Sequence, residues 1–244
     1  ARSAAFALLF FAAGTACATD LGNLFSAGKD LAKAASLSDQ DIMDGSRQMM
    51  EQLDQQAPLA PAGSKYAGRL AKLTAGLENE DGLQLNFAVY ESPDVNAFAT
   101  PDGSIRVHSG LMDIMSDDEL RGVIGHEIGH AKLGHAKAQM KKALLLSAGT
   151  KLAGASGSTA GRAVAANAET IKAFGKAQFS QADETASDDY GFEFMRNHQY
   201  DVNAMSTAFG KLAKLEKAGG NSLMASHPDS ASRAHRMAEK AKQP

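Results

Sequence analysis

The chain has 244 residues, 44% of them hydrophobic, and a net charge of -3. That length supplies one sizeable core, enough for one domain or one domain with an appendage. The mild, mixed charge excludes the basic footprint of a nucleic-acid-binding protein, and aromatic residues at 6% with no Trp suit closely packed helices better than a large sheet.

At the start, Arg2 precedes an apolar run from Ala4 to Ala13, which gives way to Gly14-Thr15-Ala16-Cys17. A positive end, a short apolar run and small residues before a cleavage point describe a secretory signal. The run falls short of the roughly 20 apolar residues of a spanning helix. Cys17 is the sole cysteine and directly follows the small residues. It is read as the acylated residue of a lipoprotein-type signal over 1–16. The plainer reading of Cys17 is an inert buried thiol, or one lost with the peptide. Gly14 stands where such signals usually carry Leu. A single cysteine forms no intramolecular disulfide, whatever the compartment.

Residues 18–64 form an N-terminal helical segment and linker. Ser38 to Asp41 can cap a helix running toward Leu53, and Pro58, Pro61 and Gly63 mark a turn or linker. The next unit, 65–242, opens with helical spacing from Tyr66 to Leu77. Leu83, Leu85, Phe87 and Val89 then alternate with period two, the pattern of a half-buried strand. Two more extended pieces, Val95 to Thr100 and Ser104 to Ser109, are joined by Pro101-Asp102-Gly103, a hairpin signal. A small antiparallel sheet of three or four strands is expected. Ser116 and Glu119 form a capping-box pattern at the head of a helix whose buried side carries Leu120, Val123, Ile124 and Ile128. The Ala/Gly-rich stretch at 143–175 is predicted to be a mobile or loosely helical insertion, its glycines weakening any continuous helix. Helices resume at Ser180 to Asn197, Asn203 to Lys217 and about Ser230 to Lys242. The fold class is α+β, a mainly helical domain with a small sheet beside the capped helix.

That helix carries the chemistry. His126-Glu127-Ile128-Gly129-His130 fits the pattern H-E-x-x-H. Histidines four apart share one helical face, so both imidazoles can reach one ion. Glu127 is offset by about 100 degrees from His126, so it borders the metal without binding it and can take a proton from a water there. Zinc lowers the pKa of such a water to about 7 and polarises a carbonyl. A catalytic zinc needs a third protein ligand. His135 is rejected, because the extended pattern requires Gly at 133 and His at 136, where this chain has Leu133 and Ala136; it is read as a surface residue. Glu184 and Asp188, four apart after a Ser180 cap, answer better. Glu184 completes a His-His-Glu site for one Zn2+ per chain, and Asp188 holds a ligating imidazole by its second nitrogen. The plainer reading of that pair is a solvated acidic face. His227, in a loop before Pro228, has the plainer reading of a structural or exposed histidine; near a zinc site it could stabilise an oxyanion or fill the open zinc position.

Taken together, Asn96-Ala97-Phe98-Ala99, Gly110-Leu111, Gly125 through His130 with His135, Glu184 and Asp188, and His227-Pro228 with Arg233 resemble the HtpX/Oma-type gluzincin peptidases, the group that includes the CAAX prenyl proteases. The likeness runs from about Leu37 to Lys240 and is strongest to the lipoprotein branch facing the periplasm. It implies a gluzincin metallopeptidase domain with His126, His130 and Glu184 as zinc ligands, Glu127 as general base and Asp188 as the orienting carboxylate. It also implies that Asn96, Ala97 and Phe98 lie on an edge strand to which substrate adds as a strand, and that His227 and Arg233 face the active site. The membrane hairpins of the HtpX and prenyl-protease branches are absent from the sequence.

The function so implied is a metalloendopeptidase cleaving unfolded or misassembled envelope proteins, with envelope assembly or protease factors as further partners and no nucleic acid. Its implied place is the periplasmic side of a Gram-negative outer membrane, held by a lipid anchor, with a soluble periplasmic chain as the alternative. Two rival classes remain: a chaperone that binds such clients and rarely cuts them, and a purely structural zinc protein, against which Glu127 argues.

Overall fold

The computed structural model describes residues 36–148, 168–218 and 226–243. The signal segment, Cys17 and the centre of the Ala/Gly-rich stretch, 149–167, lie outside the described residues. Helix α1 spans Asp39–Gln56 and α2 Lys65–Leu73. Strands β1 (Asn86–Tyr90), β2 (Ala97–Ala99) and β3 (Ser104–His108) follow, then the short α3, Ser109–Ile114. After these come α4 (Asp117–Lys132), α5 (His135–Ala148), α6 (Ala168–Lys176), α7 (Gln181–Asn197), α8 (Asn203–Lys217) and α9 (Ser230–Lys240).

Local chemistry sets the helix starts. Ser38, Ser116 and Ser180 each accept a hydrogen bond from the backbone N–H three residues on, and Asp41, Glu119 and Asp183 reach back to the cap, closing three capping boxes. Each box satisfies two N–H groups that a helix start leaves unpaired. In α4 the Glu119 carboxylate also takes a charged hydrogen bond from Lys211 on α8, at 2.6 Å.

The small sheet lies beside α4 as expected, with strand order β1-β3-β2. One pairing corrects the expectation: β2 and β3 form the antiparallel hairpin, but β1 runs parallel to β3, so the sheet is mixed. Residues 91–96, which include Pro93, carry the chain past the β3 position before β2 begins, so β1 meets β3 rather than its sequence neighbour. The hairpin turn works as the sequence indicates: Gly103 has φ +84°, and a Cβ there would sit 2.0 Å from the Gln84 carbonyl oxygen. The free edge of β1 is taken by the 57–61 segment, where the Ala60 N–H donates to Val89 and the Glu91 N–H to Pro58. Among the described residues β2 is left as the sheet's unpaired edge.

Apolar packing falls into two clusters. The larger joins α2, the sheet, α3, α4, α7, α8 and Met237 of α9. The smaller joins Ile42, Met49 and Met50 of α1 with Met140, Ala143 and Leu144 of α5 and Phe174 of α6, with Phe98 of β2 packed against them. The two ends of the 143–175 stretch are therefore regular helix with buried side chains. Leu144 and Phe174 supply apolar burial worth about 1.5–3 kcal/mol per fully buried side chain, which outweighs the weak helix propensity of the nearby glycines.

Candidate metal centre

The site forms where α4 crosses α7. Gly125 and Gly129 on α4 and Gly191 on α7 line the crossing. A Cβ at 125 would lie 2.5 Å from Cδ1 of Phe194, one at 129 would lie 3.1 Å from the Ser187 carbonyl oxygen, and one at 191 would lie 3.0 Å from the His126 backbone nitrogen. Without side chains there the two backbones approach closely, and residues projecting from them can meet head-on.

His126 and His130 of α4, Glu184 of α7 and His227 of the loop before α9 each offer one donor atom, all lying within 4.8 Å of one another, and all four residues are buried. His130 Nε2 is 3.0 Å from His126 Nε2 and 3.2 Å from Glu184 Oε1. His227 Nδ1 is 2.9 Å from the same carboxylate oxygen and 3.2 Å from His126 Nε2. Burial, with the neighbouring His126 and His227, holds the His130 imidazole well below its ordinary pKa, outweighing Glu184, so its ring is neutral and can donate a lone pair. Burial would raise the Glu184 carboxyl, but His227, His130 and His126 hold it far below the usual carboxylate range. Burial would lower His227, yet Glu184 and Glu127 outweigh it and its pKa is raised.

Glu127 lies beside these donors, its Oε1 3.7 Å from His227 Nε2, and that oxygen is buried with no hydrogen-bond partner. A buried carboxylate oxygen left alone is costly. The buried charge is also uneven: three carboxylates (Glu127, Glu184, Asp188) meet one buried guanidinium, that of Arg233, while the partly exposed Arg236 reaches Asp188 at 3.3 Å. With the imidazoles neutral, as lone-pair donation to a metal requires, the buried groups alone carry a surplus of two negative charges. A divalent cation among two or three imidazole nitrogens and one carboxylate matches the surplus, and the nitrogen/oxygen donor set is that of zinc.

The surrounding contacts orient the donors. Asp188 Oδ1 is 2.9 Å from His126 Nδ1, which points Nε2 into the cluster. Burial would raise Asp188, but His126 and Arg233 hold it well below the usual range. Arg233, on α9, grips Asp188 through Nε at 3.0 Å and Nη2 at 2.6 Å, and its Nη1 is 2.5 Å from Glu184 Oε2. The guanidinium lies over the Phe209 ring at 4.1 Å.

The structure thus brings Glu184, Asp188, His227 and Arg233 to the H-E-x-x-H pair, and it places Asn96, Ala97 and Phe98 at the unpaired sheet edge beside α4. Cys17 lies outside the described residues. His135 stays outside the donor cluster, but it is not a surface residue: its side chain is 14% exposed, and its Nδ1 is 3.2 Å from His130 Nδ1 and 3.1 Å from Ser187 Oγ. The signal for this was Gly134, which ends α4 with φ +78° and turns the chain so that the next residue returns to the face just left. Phe179 was also missed. Its ring stacks on His130 with centroids 3.8 Å apart, and its N–H donates to Ser226, tying the His227 loop to the start of α7. No local pattern announces it.

Residues 67–241 match peptidase family M48. Among curated proteins, the chain is similar to the metalloprotease LoiP of Escherichia coli (strain K12), 39% identical over 223 residues that cover 91% of this chain and 88% of that protein. The metalloprotease YcaL of the same organism is 33% identical over the same coverage. The mitochondrial metalloendopeptidase OMA1 of Arabidopsis thaliana is 29% identical over 69% of this chain and 34% of its own length. With a buried donor cluster suited to zinc and a family match over most of its length, the chain belongs to peptidase family M48 and is a zinc-dependent metalloendopeptidase acting on protein substrates.

Proposed function

We propose that the protein hydrolyses peptide bonds of unfolded or misassembled envelope proteins, with His126, His130 and Glu184 holding the zinc and Glu127 serving as general base. Zinc, when bound, acidifies a water and polarises the scissile carbonyl. Glu127 is suited to accept that water's proton: its Oε1 is buried beside the donors with no hydrogen-bond partner among the described residues, and this is the observation that carries the mechanism. Asp188 and Arg233 fix the His126 and Glu184 side chains, so the cluster keeps its shape as charge moves. His227 places Nδ1 in the donor group and would be a fourth candidate ligand, beside the water that hydrolysis requires.

The preference for unfolded chains follows from β2. Ladder bonds pass through Asn96–His108 and Thr100–Ser104. By the alternation of an antiparallel pair, the backbone groups of Ala97 and Ala99 point to the other, unpaired edge. An extended segment can add there, which a folded protein cannot supply. The envelope location rests on the signal pattern and Cys17. No helix among the described residues is long and apolar enough to cross a membrane, and an acyl anchor on Cys17 requires none.

Zinc content and cleavage of an unfolded protein such as casein, compared for the parent and Glu127→Gln, test the chemistry. Both should bind about one zinc while cleavage falls about 10²–10⁴-fold in the variant. A variant that cuts as fast as the parent would remove Glu127 from the mechanism. For the anchor, palmitate labelling in a Gram-negative host should be lost in Cys17→Ser; label that persists in the variant would overturn it.

A further inference from the structure

The 57–61 segment closes the outer edge of β1 only at its C-terminal end. The Asn86 N–H donates to Gly103, so the backbone groups of Asn86, Ala88 and Tyr90 face β3 while those of Phe87 and Val89 face outward. The Val89 carbonyl accepts from Ala60, and Pro61 then opens the turn that carries the covering chain away. Among the described residues nothing bonds the N–H or the carbonyl of Phe87. An edge residue with both groups free is a template for one more strand.

Beside this edge runs an open groove of about 430 Å³, with Ala67, Leu70 and Ala71 of α2 along one wall. A residue laid opposite Phe87 projects its side chain on the same face of the sheet as Phe87, the face on which α2 packs. The alanines leave room there for an aliphatic side chain. Thr74 and Asn86 also line the groove, but the Thr74 hydroxyl donates to the Leu70 carbonyl and Asn86 Oδ1 accepts from Arg106. Glu78 is the one charged lining residue. It is exposed, and its carboxylate has no ion pair or hydrogen bond among the described residues.

We infer that the β1 edge is a second capture site for the unfolded substrate, remote from the metal centre. It takes an extended segment that continues the 57–61 strand, with an aliphatic residue opposite Phe87 and a Lys or Arg toward Glu78. The inference rests on the reading that the substrate is an unfolded chain and is cut while paired to β2. Strand spacing sets the distance between the two sites. With the order β1-β3-β2, segments added at the two edges lie four spacings, or about 19 Å, apart. One polypeptide needs at least about six residues to join them. A long unfolded chain can therefore hold both edges at once and gain from the high effective concentration of its second segment. A short peptide cannot.

Cleavage of casein and of a cleavable peptide of about eight residues, too short to join the two edges, by the full zinc-loaded chain tests it. Ala71→Trp fills the groove from an exposed position on α2, and Glu78→Lys reverses its charge without filling it, so one variant covers a folding failure of the other. Each should raise KM for casein about 10-fold, with kcat on casein, kcat/KM on the peptide and zinc content unchanged. Variants that change neither substrate, or both equally, overturn the inference while the peptidase reading stands. A parent that dimerises and becomes a monomer in Ala71→Trp assigns the groove to a second copy and also overturns it. A parent that cuts the peptide but not casein defeats the unfolded-substrate reading, and this inference falls with it.

Discussion

At the scale of single residues, the two histidines proposed as ligands are constrained from behind as firmly as from the front. His126 is held by Asp188, and His130 has His135 at its Nδ1, with the Ser187 hydroxyl sharing the same His135 nitrogen. With His130 donating its Nδ1 proton to His135, its Nε2 lone pair is free for metal and its ring cannot rotate. Removing such a supporting contact typically lowers metal affinity about 10–100-fold. His135→Ala is therefore expected to weaken zinc binding by that factor, measured by competition with a chromogenic chelator. His135→Gln, whose amide oxygen can accept the same proton, should recover part of the loss. An affinity unmoved in both variants would reduce His135 to packing. His126, His130 and Glu127 were legible because spacing along one helix fixes which side chains share a face. Phe179 was illegible because its partner, His130, lies 49 positions away in sequence, and stacking across such a distance leaves no periodic trace.

At the scale of elements, the three serine caps could be read directly, since a capping box is a contact within four residues. Strand partners could not. The alternation that marks β1 is the same whether its neighbour runs parallel or antiparallel, and only the path of residues 91–96 decides. The join of α1 to the sheet is equally non-local. Asp54 accepts from Arg106 Nε at 3.0 Å and Nη2 at 2.8 Å and from the Tyr90 hydroxyl at 2.6 Å, and the Arg106 side chain is 4% exposed. Asp54→Ala leaves that guanidinium without its carboxylate and should cost about 1.5–3 kcal/mol of stability at neutral pH. Burial tends to raise the Asp54 carboxyl, but the bonds from Arg106 and Tyr90 and the guanidinium charge hold it below 3.8. A depressed folded pKa means that the contribution is fully present above 3.8 and fades as pH falls through the lower folded value. Denaturant melts of parent and variant should therefore differ by a constant amount from neutral pH down to about 3.8 and converge as pH falls from there through the folded value. A gap that widens on acidification would refute the assignment.

At the scale of the whole molecule, composition and periodicity announced a mainly helical domain with a small sheet, and the structure has that form. They did not announce that apolar packing would divide into two clusters meeting near Phe98. Division depends on which helices touch, and α1, α5 and α6 come together from positions far apart in the chain. A cavity lined by Leu53, Phe98 and Phe174 lies at that meeting, which is why no stretch of sequence identifies it. Arg233 carries a consequence of a different kind. The carboxylates of Glu184 and Asp188 share its guanidinium, and it stands about fifty residues after them in the chain. A polypeptide emerging from a ribosome or a translocation pore has both H-E-x-x-H histidines and Glu184 in hand well before Arg233 arrives. Until then two carboxylates destined for burial lack their counter-charge and resist being packed together. The order of the residues thus leaves the counter-charge of both carboxylates to the last helix, so the complete frame of the site forms only when that helix docks.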